Sequence, residues 1–174
     1  MTKKRKPEAN FQGEIKQALN MYVTTKNIHI FYRKEPDMGQ TMPYDCYFVH
    51  KGIHIAAELK VNESKRCGFN FKKMFPPPRT DSSGRRILGR DHQLYSLLSL
   101  VRSGGHAWVI IKLSVQSKRI CRAFAIKVEE IMPIKDKTVS LEFIEKNSIE
   151  IKKIKDTRDY SGVQWDISFL FDKI

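Results

Sequence analysis

Acidic residues are scarce in this sequence, and cysteine is almost missing. Nineteen aspartates and glutamates stand against 32 lysines and arginines, a formal net charge of +13. That imbalance argues against an acidic, solvating protein and points to a polyanionic partner, nucleic acid first. Cys46, Cys67 and Cys121 are odd in number and show no CxxC or Cys/His ligand spacing. Neither a disulfide framework nor a zinc site is indicated, and the thiols read as those of a reducing cytoplasm. No apolar run approaches the roughly 18–20 residues that a membrane-spanning helix takes. The basic start Met1-Thr2-Lys3-Lys4-Arg5-Lys6-Pro7 leads into no apolar segment, so a secretory leader is not expected. A membrane surface would ask for a basic amphipathic helix with Trp, Phe and Leu opposite its charges, and none is legible. The expectation is a cytoplasmic protein without a membrane partner.

What is present suits one domain: 174 residues, 41% of them hydrophobic. Residues 1–10 read as a flexible basic arm and 11–174 as a single domain. From Asn10, a good N-cap, Phe11, Ile15, Ala18, Leu19 and Tyr22 recur at helical spacing, with Glu14 at the edge of that stripe. Ile28 to Lys34 is rich in strand formers. Residues 61–90 mix Lys65, Arg66, Lys72, Lys73, Arg79, Arg85, Arg86 and Arg90 with aromatics and a triple proline, without periodicity. They read as a long basic loop insertion suited to gripping a phosphate backbone and stacking bases, and with the arm residues Lys3, Lys4, Arg5 and Lys6 they form the candidate DNA-binding set. Asp91 predicts the N-cap of a second helix ending at Gly104-Gly105. His106 to Leu113 and Arg119 to Ile126 read as buried strands, and alternation at Val139, Leu141 and Phe143, at Ile149 and Ile151, and from Trp165 to Phe171 predicts further β structure. The order helix, three strands, helix, two strands predicts an α/β fold with a mixed central sheet flanked by helices.

The most informative stretch is Tyr44 to Lys60, an apolar hairpin that carries Asp45, Glu58 and Lys60. A two-residue turn at Lys51-Gly52 sets Asp45 opposite Glu58. Residues facing one another across a hairpin hold their Cβ atoms about 4.5–5.5 Å apart, and two carboxylates that close repel unless a cation lies between them. Mg²⁺ fits, with Mn²⁺ as its substitute, because it takes one or two carboxylates and leaves other positions to water and substrate phosphate. Asp45 and Glu58 supply the pair, the carbonyl of Leu59 a third ligand, and Glu14 completes the site or holds a second ion. Such an ion serves phosphodiester hydrolysis, and Lys60 is set to orient or deprotonate the attacking water and to stabilise charge on the phosphate. The plainer alternative makes Glu58 and Lys60 an exposed strand pair, worth under about 1 kcal/mol.

These residues carry a family resemblance. An acid on the first helix, Pro43-Tyr44-Asp45 at a strand start and Glu58-Leu59-Lys60 resemble the PD-(D/E)xK nuclease superfamily, whose fold is restriction-endonuclease-like. Within it, His92-Gln93 opening a helix and the segment Gly104-Gly105-His106-Ala107-Trp108-Val109-Ile110-Ile111 resemble the RecU-type Holliday junction resolvases, also called penicillin-binding-protein-related factor A. The resemblance spans about residues 11–127. It implies a Mg²⁺-dependent homodimeric endonuclease that nicks four-way DNA junctions symmetrically. It carries the helix-acid role to Glu14, metal binding to Asp45 and Glu58 and the catalytic lysine to Lys60, with Gln93 a supporting polar group. It departs at residues 34–43, too short for the stalk of that family, and in the long basic 61–90 segment, which suits a nucleoid-associated or phage-encoded relative. Two other readings stay open: a nuclease of this superfamily acting on other DNA, and a non-catalytic DNA-binding recombination accessory protein.

Overall fold

The turn that sets the hairpin register is made by Lys51 and Gly52, both with positive φ (50° and 78°) as a type I′ turn requires. In the computed structural model, which describes residues 7–26, 30–32, 44–63, 68–87, 89–115, 117, 120–154 and 164–172, that turn joins β2 (Cys46–His50) to β3 (Ile53–Asn62). Cys46 faces Ala57 and His50 faces Ile53, the expected register, whose next pair outward is Asp45 with Glu58. β1 (Ile30–Tyr32) pairs with the outer side of β2. On its other side β3 runs parallel to β7 (His106–Val115), from Ile55 beside His106 to Asn62 beside Leu113. β8 (Ile120–Lys127) and β10 (Ile149–Ile151) continue the sheet antiparallel. The result is a mixed six-stranded sheet in the order β1-β2-β3-β7-β8-β10.

Period-2 alternation along the central strands divides the interior into two cores. Ile55, Ala57, Leu59, Trp108 and Ile110 pack with Phe11, Ile15, Ala18 and Leu19 of α1 (Pro7–Lys26). Ala56, Val109 and Ile111 pack on the other face with Leu94 and Leu97 of α3 (Asp91–Arg102). Each large apolar side chain sealed this way contributes about 1.5–3 kcal/mol relative to exposure. This is the expected α/β architecture, a mixed central sheet flanked by helices. Gly105 belongs to its construction: a Cβ there would lie 2.8 Å from the His54 carbonyl, so only glycine lets the chain leave α3 this close to β3.

Three expectations are corrected. α1 starts at Pro7, three residues before Asn10, because proline lacks only an N–H that the first turn does not use. Residues 61–90 are not one long loop: β3 runs to Asn62, and then come β4 (Phe69–Asn70), α2 (Phe71–Met74) and the hairpin β5 (Arg79–Thr80) with β6 (Arg86–Ile87). Phe69, Phe71 and Phe75 anchor this segment in the α3-side core, and elements two to four residues long leave no periodicity to read. In the tail the alternation crosses element boundaries. Val139 ends β9 (Thr138–Val139), and Ser140 then caps α5 (Leu141–Asn147) by accepting a hydrogen bond from the Phe143 amide at 3.2 Å. After α4 (Val128–Ile131) and α5, the chain adds β11 (Lys153–Ile154), β12 (Gln164–Trp165) and α6 (Phe169–Asp172). Trp165, Ile167, Phe169 and Phe171 are buried in the α1-side core, while Ile149–Ile151 is the strand expected.

Candidate active site

β3 outruns its hairpin partner, since the described pairing with β2 ends at Ala57 while that with β7 continues to Asn62. Glu58, Leu59 and Lys60 occupy this overhang, and Asp45 folds onto it. The Asp45 amide donates to the Ala57 carbonyl at 3.1 Å, and its Oδ2 accepts the Leu59 amide at 2.8 Å. From α1, Gln12 Nε2 donates to Asp45 Oδ1 at 3.1 Å. Two donors therefore fix the Asp45 carboxylate, one of them the backbone of the Glu58-Leu59-Lys60 triplet itself.

Lys60 is the centre of the group. Its Nζ donates to Glu58 Oε1 at 2.6 Å and to Gln93 Oε1 at 3.2 Å, and lies 5.1 Å from the Phe75 ring centroid. Glu8 Oε1, on the first turn of α1, is 3.7 Å away. Asp45, Glu58, Lys60 and Gln93 are 6%, 1%, 4% and 3% exposed. Burying an ion pair this deeply contributes little net stability, because desolvation offsets the attraction. Four buried polar side chains at one strand overhang, three of them joined through Lys60, thus fit a chemical role better than a structural one. Cys46 beneath them takes no part: burial first, and Asp45 second, push its thiol up to about 12, and its Sγ donates to the Ala57 carbonyl at 3.8 Å.

Glu14 is not brought to this group. Its oxygens accept Lys112 Nζ at 2.6 and 2.7 Å, and Oε2 also accepts Trp165 Nε1 at 2.8 Å. Lys112 lies 5.6 Å from the Phe11 ring centroid and 5.8 Å from that of Trp165, on the α1 side of the sheet, whereas Lys60 with Phe75 is on the α3 side. Glu8 and Gln12, one turn apart on α1, are the residues that reach the site. The signal for them was a helix start at Pro7, which sets both along one edge of the apolar stripe.

The donor set suits a hard cation that keeps open positions. Among the described residues no three His, Cys, Asp or Glu side chains cluster for a metal, so a closed zinc-type cage is not built here. Two carboxylates and a strand carbonyl, Asp45, Glu58 and Leu59, are what Mg²⁺ takes when water and substrate phosphate complete its shell.

A cleft of about 710 Å³ opens beside Lys60, with Glu8, Lys73 and Arg90 in its wall. Lys72, Lys73, Arg79, Arg85 and Arg90 are exposed around it and along the following hairpin, and Arg86 is in β6. The hairpin turn is held by Asp81 Oδ1, which accepts from Ser83 N and Oγ and from Arg85 N at 2.7–3.0 Å. The Ser83 hydroxyl bond is the main reason the Asp81 carboxyl stays below its usual range. Lys3, Lys4, Arg5, Lys6, Lys65 and Arg66 lie outside the described residues.

No protein-family profile matches the chain, and no curated protein sequence does. Among solved structures it is similar to Hjc, a Holliday junction resolvase of the archaeal hyperthermophile Archaeoglobus fulgidus, at 11% identity over 78% of this chain and 92% of that one, with a TM-score of 0.45. It is also similar to the bacterial homing endonuclease I-Ssp6803I, at 15% identity over 87% and 83% of the two chains, with a TM-score of 0.34. Both are distant likenesses, and what the site can do follows from its own residues.

Proposed function

We propose that this protein is a Mg²⁺-dependent DNA endonuclease that hydrolyses phosphodiester bonds at Asp45, Glu58 and Lys60, and that it acts on Holliday junctions as a homodimer. The observation that carries the reading is the buried Lys60–Glu58 contact on the β3 overhang, with Asp45 held on the Leu59 amide between the two and a basic-walled cleft beside Lys60. Asp45, Glu58 and the Leu59 carbonyl would hold the ion. When bound, a divalent cation offsets phosphoryl charge and lowers the pKa of bound water. Gln12 orients Asp45, and Gln93 and Glu58 hold the Lys60 ammonium where it can hydrogen-bond a water or a phosphoryl oxygen. We assign the helix acid to Glu8 in place of Glu14, whose carboxylate already takes a lysine and an indole on the other face. The net charge of +13 supports a DNA partner through counterion release, and symmetric nicking asks for two sites related by a two-fold axis.

Cleavage of a synthetic four-way junction in Mg²⁺, with linear duplex as competitor, tests the reading. Asp45→Ala and Glu58→Ala should each abolish cutting while junction binding persists. Undiminished cutting by both variants would refute the site, and equal cutting of junction and duplex would leave a nuclease of other substrate. Sedimentation as a monomer on DNA would remove the dimer.

A further inference from the structure

The cleft beside Lys60 and the hairpin surface beyond Asp45 flank the candidate site on two sides, and the role of neither is accounted for by hydrolysis. We infer that the cleft is a subsite for one unpaired nucleotide of the cleaved strand, so that the substrate is splayed or single-stranded at the cut. The inference rests on the nuclease reading and narrows its substrate.

Size comes first. At about 710 Å³ the cleft falls within the roughly 300–1,000 Å³ of small-molecule sites. A single nucleotide enters such a space, but a duplex whose major groove alone is about 12 Å wide does not. The lining comes second. Asn62, 8% exposed, has its amide fixed by donating to the Gly68 carbonyl at 3.0 Å, and Asn70 is fixed by accepting the Lys73 amide at 2.9 Å. Two prepositioned amides and Met74 in the same lining offer hydrogen-bonding and apolar contact to a base. At the rim, the Glu8 carboxylate lies 3.7 Å from Lys60 Nζ and 4.0 Å from Arg90 Nη1. The free protein therefore already seats an anion between two cations at the edge of the reacting group, which is where a phosphate oxygen of the bound strand would be attracted.

The second flank is independent of the cleft. Next to Asp45, the Tyr44 and Tyr47 rings stack with centroids 5.9 Å apart and planes at 28°, both partly exposed. The Tyr47 hydroxyl hydrogen-bonds His54 Nδ1, which steadies that ring. A flat aromatic pair of this kind stacks an unpaired base, a contact worth about 1–3 kcal/mol. Bases stacked and paired inside a duplex would use neither the platform nor the cleft.

The test compares a matched linear duplex with the same duplex opened into a two-armed fork, both carrying 2-aminopurine at the branch position, bound to the full chain without divalent metal. The fork should bind at least tenfold more tightly, with the fluorophore quenched. Met74→Trp, which fills the cleft, and Lys73→Glu, which reverses its rim charge, should bring the fork down to duplex affinity, and Tyr47→Ala should relieve the quenching. Equal affinity of the wild type for the two DNAs overturns the inference. So does retention of the fork preference by Lys73→Glu, an exposed substitution that leaves the core untouched, whatever Met74→Trp does. Fork preference without cleavage of any DNA in Mg²⁺ would refute the nuclease reading and spare the subsite; equal affinity with cleavage of both DNAs would do the reverse.

Discussion

Two lysine–glutamate pairs lie on opposite faces of the central sheet, each with a closest N–O distance of 2.6 Å, and they differ in what surrounds them. Lys60 and Glu58 are neighbours on β3, 5% and 1% exposed, flanked by Gln93, Asp45 and a cleft. Lys112 on β7 meets Glu14 of α1, 12% and 17% exposed, with aromatic rings and the Trp165 indole closing round it. The second pair joins three segments remote in sequence, α1, β7 and β12, and its hydrogen bonds are satisfied from within. The first joins two residues already side by side on one strand, and its lysine reaches Gln93 of α3 and the wall of a cleft. Distance does not distinguish a site from a latch. What the pair connects, and what borders it, does.

The comparison breaks most sharply at the lysines. Lys60→Met keeps the methylene stem and removes the charge. Cleavage per folded molecule should fall by about 10²–10⁴, and stability should fall with it by about 3–5 kcal/mol, because the Glu58 carboxylate is left buried without its cation. Lys112→Met should leave cleavage per folded molecule near the wild-type value and lower the melting temperature. Quantitative junction cleavage alongside thermal unfolding separates the two, and loss of stability without loss of rate in Lys60→Met would exchange their roles.

The acids on α1 sharpen it further, with smaller effects. Glu8→Gln should reduce cleavage about tenfold while tightening metal-free DNA binding, because it removes an anion from between Lys60 and Arg90. Its stability should change by under about 1 kcal/mol, since the side chain is 37% exposed. Glu14→Gln should instead cost about 1–3 kcal/mol, less than breaking a fully buried pair, and leave DNA binding unaltered. Chemical denaturation and salt-matched binding measure both, and reduced cleavage with unchanged stability in Glu14→Gln would return the helix-acid role to that residue.

The hairpin site was legible in the sequence because its geometry is local. A two-residue turn fixes the register, so Asp45, Glu58 and Lys60 could be related by counting, and Gln93 followed from a helix whose acidic first turn was legible, although Asp91 is its first residue and not its N-cap, which is Arg90. Glu14 shows where counting fails. Its position on the stripe edge was sound, but whether that edge looks toward the β3 overhang or toward Lys112 depends on the pairing of β3 with β7, roughly fifty residues apart. Placing the helix start at Asn10 also left Glu8 in a tail. The strand alternation read at 139–143 holds only at Val139 in β9, since Ser140 then caps α5, which buries Ile144 and leaves Phe143 exposed. Short elements anchored by single phenylalanines, as at 69–75, are held by tertiary contacts that no local period records.

A third ion pair extends the comparison to solvent and carries the smallest expected effect. Arg122 on β8 donates through Nε and Nη2 to the two oxygens of Glu150 on β10, both at 2.7 Å, and through Nη1 to Glu145 of α5. It ties the edge strand to the sheet, as Lys112 ties α1, but Glu150 is 47% exposed and Arg122 32%. The Arg122 hydrogen bonds hold the Glu150 carboxyl below its ordinary value of 4.5, against the raising effect of burial. A folded-state pKa lowered in this way contributes stability that is complete above the unfolded value and lost as pH falls through the folded one. The melting temperature of the wild type should therefore drop faster than that of Glu150→Gln between about pH 5 and pH 3, with the two separated by under about 1 kcal/mol near neutrality because solvent screens the pair. Parallel curves across that acid range would mean that Arg122 holds the edge strand through packing over the Phe124 ring, 4.9 Å away, and that among these pairs only the enclosed ones bear on stability.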